Sequence, residues 1–290
     1  MGIRHDLQRS IGQLLQSARV GSYETQHARK KILHLFANDL VRLGYGLRHV
    51  NGLKEKHVTA VLQSWKDNKI KNATLKNRMA VLRFLCQHIN KPNLMKSNET
   101  MGIGKRNYIP TTNKAIYHPD FSKITNPYVH ISLQLQRVFG LRREEAIKIR
   151  PHMADKGQNL ELSPSWCKGG RGRLIPIQTE EQRYWLEQAK KQASQFGYSL
   201  IPENKKYINQ RDIYDKQVQR AGLKNLHGLR HAYAQTRYKE LTGWEAPVNG
   251  GPTIRQMTPE QKRIDHQARM IISDHLGHSR KSIVKNYCGK

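Results

Sequence analysis

The most informative segment of this sequence is Ser273-Asp-His-Leu-Gly-His-Ser-Arg-Lys-Ser-Ile-Val-Lys-Asn-Tyr-Cys-Gly-Lys290. It places one tyrosine, Tyr287, after a Leu-Gly-His turn and a short helical run. A phenol with a pKa of about 10 attacks only when a neighbour takes its proton and cations neutralise the group under attack. Because the residues beside Tyr287 are polar or small, we expect the ring to be little buried and its segment to be mobile.

The composition favours nucleic acid as a partner. The 290 residues include 51 Lys and Arg against 22 Asp and Glu, a formal net charge of +29 that attracts polyanions. No apolar run reaches the roughly 18 residues of a membrane-spanning helix, and no N-terminal run resembles a signal peptide. We therefore expect no membrane partner and a cytoplasmic location, at the nucleoid if the source is bacterial. The three cysteines lack metal-type spacing, so we predict neither a zinc site nor a disulfide framework.

Residues 1–90 are predicted to form a small all-α domain. Three segments carry apolar residues at helical spacing, which is typical of amphipathic helices. Their stripes are Ile32, Phe36, Leu40 and Leu43, then Val58, Val61, Leu62 and Trp65, then Leu75, Met79, Leu82 and Leu85. The remaining faces are rich in lysine and arginine, which favours contact with phosphates over a merely solvated face.

A linker and a mixed domain follow. The apolar period is lost in residues 91–114, where Gly, Pro, Asn and Thr predominate. Residues 115–290 are predicted to contain further helices and a β-hairpin within Asn159–Ile177, with Lys168 at its glycine-rich tip. The predicted fold class is therefore mainly α with a small β-hairpin: an all-α domain followed by a mixed α+β domain.

Several short motifs carry cations or proton-transferring groups. His227 and Arg230 share one helical face because they are three positions apart. Arg142 follows Gly-Leu, and His278 ends Leu-Gly-His. Taken singly, each motif favours a simpler interpretation as surface polar residues or turn caps, because such short patterns arise by chance.

The order and spacing of these motifs resemble the tyrosine recombinases, the phage-integrase family of site-specific DNA recombinases. The resemblance covers roughly residues 110–287, and the preceding helical unit resembles the family's core-binding domain. It rests on Gly140-Leu-Arg142 with Glu145, the Lys168 hairpin, His227-x-x-Arg230, Leu276-Gly-His278, and Tyr287 nine positions after His278. It implies that neither metal nor cofactor is needed and that the catalytic residues, with Glu145 in support, are Arg142, Lys168, His227, Arg230, His278 and Tyr287.

The chemistry of the two arginines agrees with this implication. Attack on a phosphodiester puts charge on the nonbridging oxygens, and the guanidiniums of Arg142 and Arg230 can hold those oxygens through bidentate hydrogen bonds. Glu145 is expected to orient its neighbours, because a carboxylate beside the scissile phosphate would repel it.

Proton transfer completes the expected reaction. His227 is the expected general base for Tyr287, and Lys168 is the expected acid for the departing 5′ hydroxyl. His278 is expected to donate to a phosphate oxygen. The product is a 3′-phosphotyrosyl link that a second DNA end can reverse, which predicts cleavage and rejoining of DNA with integration or excision of a mobile element. By resemblance, the partners are double-stranded DNA and a homotetramer on two synapsed sites.

The sequence departs from the family pattern in two places. Arg230 and His278 are 48 positions apart, more than the pattern leads us to expect, so we interpret residues 242–262 as an inserted loop. Three residues follow Tyr287, whereas many relatives carry a further helix or strand that docks on a neighbouring subunit. We expect either assembly through other contacts, with the insertion as one candidate, or a shortened C-terminus.

Some neighbouring residues invite a catalytic interpretation that we do not adopt. Arg143 competes with Arg142, which we prefer because Glu145 then falls at the expected offset. We expect four others to be structural or, for the histidines, solvent-facing: His231, His275, Tyr233 and Tyr238.

Two other functions are consistent with the sequence. A type IB topoisomerase would use a similar set of residues to relax one duplex, although the Leu-Gly-His turn and the helical N-terminal unit favour a recombinase. A catalytically silent DNA-binding relative is the second alternative, and the presence of every expected catalytic residue argues against it. The DNA target and the direction of the reaction do not follow from the sequence.

Overall fold

The computed structural model describes residues 2–106, 112–194, 197–278 and 280–290. The chain divides into two compact units, Met1–Asn107 and Tyr108–Lys290. Residues 107–111, in the predicted linker, lie outside the described residues. Among the described residues, no helix combines the length and apolar character needed to cross a membrane.

The first unit is helical, as predicted. Its helices are α1 (Ile3–Ser17), α2 (Tyr23–Arg42), α3 (Glu55–Asp67) and α4 (Asn72–His88). The predicted stripes on α3 and α4 are all buried, because their period matches that of the helix.

The predicted stripe on α2 is only partly right. Phe36 and Leu40 are buried, but Leu33 takes the place of Ile32 in the core. Leu43 is exposed because it follows the last residue of the helix and no longer shares its buried face.

Part of the predicted linker packs against this helical unit. Ile103 is buried in its core, with Met95 and Met101 beside it. Lys66 Nζ donates a hydrogen bond of 2.7 Å to the carbonyl of Met101. The compact helical unit therefore continues beyond α4.

The second unit packs helices and a hairpin around one central helix, α10 (His227–Thr242). Its elements are α5 (Pro127–Phe139), α6 (Arg143–Lys148), α7 (Pro151–Ala154), β1 (Asn159–Leu162), β2 (Arg173–Pro176), α8 (Glu180–Ala193), α9 (Tyr207–Arg220), α10 (His227–Thr242), α11 (Pro259–His275) and α12 (Lys285–Cys288). Helix α10 contacts α5, α11 and α12. Strands β1 and β2 pair antiparallel with Leu160 opposite Ile175, which confirms the predicted hairpin and the mainly α fold.

Gly140 allows helices α5 and α10 to pack closely together. Gly140 follows α5 with φ of 62°, in the left-handed region that glycine tolerates. A Cβ there would lie 2.5 Å from Cδ1 of Tyr233 on α10. The close approach lets α5 end against α10 and places Arg142 at the N-cap of α6.

Candidate active site

Arg230 occupies the centre of the site. It is 1% exposed, and its guanidinium donates 2.5 Å to the carbonyl of Gly140 and also to that of Leu276. It forms no salt bridge with a carboxylate in the described part of the chain. Burial lowers the pKa of Arg230 to about 10, against the opposing effect of Tyr287 and with a further lowering by Arg142, so the group stays cationic at neutral pH. A buried cation that has neutral hydrogen-bond acceptors and no carboxylate partner among the described residues is suited to an incoming anion.

The hydroxyl of Tyr287 lies between Arg230 and His278. Arg230 Nε donates to Tyr287 Oη at 3.4 Å, and His278 Nε2 is 3.1 Å from the same oxygen. Arg230 Nη2, which can only donate, is 3.4 Å from His278 Nε2. Burial and the charges of Arg230, Arg142 and Arg173 lower the pKa of His278 to about 4. His278 is therefore neutral at pH 7, with Nε2 assigned as an acceptor for the phenol.

The expectation that Tyr287 is little buried was wrong. The residue is 6% exposed, and the following Cys288 is fully buried. The apolar cluster that contains them includes residues from distant segments, among them Ala246 and Val248, in addition to the nearby Val284. Local composition therefore underestimated the burial, because it contains no information about what packs from elsewhere.

Two histidines of α10 line the tyrosine ring. The ring centroids of His227 and His231 lie 5.9 and 4.8 Å from that of Tyr287. Desolvation of the ring, then Arg230, Arg142 and Lys114, lower the pKa of His227. Burial, His227 and Lys114 lower the pKa of His231 to about 4. Both imidazoles are neutral at pH 7, so each is able to accept a proton.

Arg142 is attached to the site through Glu145. Its backbone N–H and its Nη1 donate hydrogen bonds of 2.8 and 2.6 Å to the Glu145 carboxylate, which is fully buried. The side chain of Arg142 is 23% exposed. Its charge lowers the pKa values of Arg230, His227 and His278.

The sequence did not indicate a role for Arg173. This β2 residue donates 3.1 and 2.8 Å to the two oxygens of Glu145 and 2.6 Å to the carbonyl of His275. It thereby links the hairpin, the start of α6 and the end of α11. The alternation of side chains along β2 could have indicated that Arg173 is buried, because Arg173 lies on the same face as Ile175, opposite Leu162 of β1.

Burial by itself would raise the pKa of Glu145, but the hydrogen bonds and charge of Arg173 and the charge of Arg142 outweigh it and hold the pKa at about 2. A carboxylate with a lowered pKa stabilises the fold above its ordinary pKa, and this contribution is lost as the pH falls through the folded-state pKa. We expect Glu145→Gln to lower the free energy of unfolding by about 3 kcal/mol at neutral pH.

The difference in the free energy of unfolding between the wild type and Glu145→Gln should shrink between about pH 5 and about pH 2, because the wild type loses its own ion pairs there. Urea denaturation followed by circular dichroism measures this difference. Glu144→Gln is the matched control, because the Glu144 side chain is 43% exposed and its pair with Lys148 contributes little. Equal deficits for both variants, or a deficit that does not depend on pH, would contradict the assignment.

Lys168 has no described contact with this cluster, although the preceding Cys167 lies 3.5 Å from Arg173 Nη1. It is exposed in the loop between β1 and β2 and makes no hydrogen bond or ion pair with residues that the structure describes. The structure thus brings together Arg142, Glu145, His227, Arg230, His278 and Tyr287, but places no described contact between them and Lys168.

The neighbouring residues have partners of their own. Arg143 pairs with Asp215 at 2.7 Å, away from Glu145. His275 is buried, and its Nδ1 is 3.1 Å from the hydroxyl of Tyr233. Tyr238 is fully buried and donates to Asp265, and burial strongly raises the pKa values of both Tyr233 and Tyr238.

Two family models match consecutive parts of the chain. The model described as "Phage integrase, N-terminal" matches residues 5–94, and the model described as "Integrase" matches residues 105–236. Together with the helical unit and the cluster around Arg230, they define the class as a site-specific DNA strand transferase. The chain belongs to the tyrosine recombinases, the phage-integrase family. No curated protein is similar enough to match it.

Solved structures share this fold at low sequence identity. Lambda integrase (residues 75–356), a dimer bound to a COC′ core site, is 14% identical with a TM-score of 0.55, and 92% of each chain is covered. XerH recombinase in a post-cleavage complex with palindromic difH is 16% identical with a TM-score of 0.56, over 94% of this chain and 78% of that one. The Tn1549 transposon integrase with transposon right-end DNA is 12% identical with a TM-score of 0.53, over 99% and 94%.

Proposed function

We propose that this recombinase cleaves one DNA strand by attack of Tyr287 on the scissile phosphate and rejoins it after strand exchange. The observation that carries the proposal is the placement of Tyr287 Oη against Arg230 Nε and His278 Nε2, at 3.4 and 3.1 Å. A phenol held between a buried cation and a neutral imidazole has both requirements of a nucleophile, a charge to stabilise attack and a proton acceptor. The products are a 3′-phosphotyrosyl bond and a free 5′ hydroxyl.

Arg142 and Arg230 are proposed to hold the nonbridging oxygens of the phosphate. Arg230 forms no salt bridge with a carboxylate among the described residues, and the side chain of Arg142 donates to Glu145 through Nη1. Glu145 positions Arg142 without touching the phosphate. Bidentate donation to the oxygens would compensate the charge that develops during attack.

Two histidines are candidates for the base that accepts the proton of Tyr287. The sequence-based assignment to His227 stays a prediction and requires the phenol to shift towards that ring. The 3.1 Å contact favours His278 as a second candidate. Once His278 has taken the proton at Nε2, the same nitrogen becomes a donor, which suits its predicted hydrogen bond to a phosphate oxygen.

Lys168 is proposed to protonate the leaving 5′ oxygen after its loop folds towards bound DNA.

The substrate is proposed to be double-stranded DNA at the ends of a mobile element. The net charge of +29 supports a polyanionic partner, and the similar structures described above hold lambda integrase, XerH and the Tn1549 integrase on DNA. Exchange between two sites requires two synapsed duplexes with one nucleophile for each of four strand cleavages, which a homotetramer supplies. We propose that the protein acts in the cytoplasm, at the nucleoid if the source is bacterial.

A pool of supercoiled plasmids with random inserts tests this function. In the presence of EDTA, we expect covalent capture of one short sequence, with the protein on the 3′ phosphate, and recombination of plasmids that carry two copies of it. Relaxation of all plasmids without site preference would favour a topoisomerase, and binding without covalent capture would favour a silent relative. Activity that EDTA abolishes and magnesium restores would contradict catalysis by arginines alone.

A further inference from the structure

A buried side-chain amide donates a hydrogen bond to the backbone carbonyl of the nucleophile. Gln235, on α10, is 1% exposed, and its Nε2 donates 2.8 Å to the carbonyl of Tyr287 and 2.8 Å to Oδ1 of Asn113. Its Oε1 accepts from Asn113 Nδ2 at 3.1 Å and from the hydroxyl of Tyr117. Both donors and both lone pairs of the amide are therefore used, which leaves one orientation for the side chain.

The same network reaches the inserted loop. Asn249 accepts from Asn113 Nδ2 at 2.8 Å and donates to the hydroxyl of Tyr117 at 3.0 Å. Asn249 belongs to the segment Trp244–Gly251, which follows α10 and lies within the insertion predicted from sequence; we call this segment the clasp. A continuous hydrogen-bonded path thus runs from the clasp through Gln235 to Tyr287.

A second path joins the other end of the clasp to Gly289. Trp244 Nε1 donates to the hydroxyl of Tyr238 at 3.3 Å, and that hydroxyl donates to Asp265. Asp265 accepts from Arg269 Nε at 2.7 and 2.9 Å, and Arg269 Nη1 donates 3.0 Å to the carbonyl of Gly289. The two paths hold the chain on both sides of Cys288.

Close packing joins the clasp to α12 between these paths. Ala246 is fully buried in the same core as Tyr287 and Cys288, and Val248 packs against it. Gly289 has φ of 80°, and a Cβ there would lie 2.8 Å from the backbone nitrogen of Val248. The backbone after the nucleophile therefore fits the clasp with no room for a side chain.

We propose that the clasp positions the nucleophile of its own chain. Gln235 is the positioning residue, because it connects the clasp to the backbone carbonyl of Tyr287 by hydrogen bonds. The inference rests on the proposed function, because it concerns the attacking tyrosine. Helix α12 is short, so its direction is set by these contacts rather than by its own hydrogen bonds. The clasp fixes where the phenol oxygen meets the phosphate, and it contributes nothing to the leaving group.

Gln235→Leu and Asn249→Ala test the proposal. We expect Gln235→Leu to lower the single-turnover rate of covalent attachment by about 10- to 100-fold, because a displacement of about 1 Å at a nucleophile has an effect of that size. Asn249→Ala should lower it by a smaller factor, about 3- to 10-fold. DNA affinity should remain that of the wild type. Gln256→Ala is the matched control, because Gln256 lies in the insertion but caps only the local turn at Thr253.

A second substrate separates positioning from general disruption. In DNA with a bridging 5′ phosphorothiolate, the leaving sulfur needs no proton, so this substrate restores variants with a defective acid but not those with a misplaced nucleophile. We expect Gln235→Leu and Asn249→Ala to stay slow on it. If Gln235→Leu fails to fold, the exposed Asn249 decides the result, since Asn249→Ala leaves the core intact.

Each outcome bears on the proposal. Attachment by both variants at the rate of Gln256→Ala, or restoration by the phosphorothiolate, would overturn the positioning role while leaving the proposed function in place. Absence of attachment by the wild type would contradict the proposed function and the inference with it.

Discussion

Tyr287→Phe binds its DNA as tightly as the wild type and never becomes covalently attached to it. This is the expected result because the substitution removes only the attacking oxygen and keeps the ring that His227 and His231 contact. The lost contacts to Arg230 and His278 should lower stability by only about 1 kcal/mol. Loss of the nucleophile should reduce attachment by more than about 10³-fold.

Incubation with a nicked suicide substrate, followed by denaturing electrophoresis, measures this difference. The matched control is Tyr233→Phe, which removes a hydroxyl of α10 whose buried phenol has a strongly raised pKa. We expect this control to give a covalent band. A band of wild-type intensity from Tyr287→Phe would transfer the nucleophilic role to another residue and remove the main support for the mechanism.

The second large effect is expected for Arg142→Ala. Arg142 is partly exposed beside the buried Arg230, and its only described side-chain hydrogen bond is to Glu145. Removing one of two guanidiniums that stabilise the charged phosphate should slow attachment by about 10² to 10³-fold. Glu145 keeps its two hydrogen bonds from Arg173, so the fold around the site should persist.

The next residue supplies the control for this prediction. Arg143→Ala also deletes a guanidinium from the start of α6, but Arg143 pairs with Asp215 on α9, at 44% side-chain exposure. We expect its attachment rate to stay within a few-fold of the wild type under single-turnover conditions with saturating DNA. If Arg143→Ala were the slower of the two variants, the assignment of Arg142 would be wrong.

Local patterns determined much of the fold. The stripes of α3 and α4, the β1–β2 hairpin and the start of α10 at His227 all followed from periodicity and turn residues. These features depend on interactions over a few positions, which a sequence displays directly. The order of the motifs was likewise sufficient to identify the family, because it does not depend on where the motifs lie in space.

The composition of the site depended on the tertiary structure. The sequence predicted six catalytic residues, of which five lie in one cluster around Arg230, while Lys168 has no described contact with them. Their catalytic roles stay predictions. The contact of His278 with the phenol, and the link that Arg173 makes between hairpin and Glu145, could not be predicted, because their partners are brought together only by packing.

The helices, the hairpin, the family and the set of candidate residues could thus be predicted from sequence patterns. The burial of Tyr287 and the hydrogen bond from Gln235 to its carbonyl could not, since Gln235 and Tyr287 are 52 positions apart in the chain. Asn113, which completes the same network, is 122 positions from Gln235. The physical reason is that burial and hydrogen-bond satisfaction depend on segments that meet only after the whole unit has folded, whereas helical period and motif spacing are local.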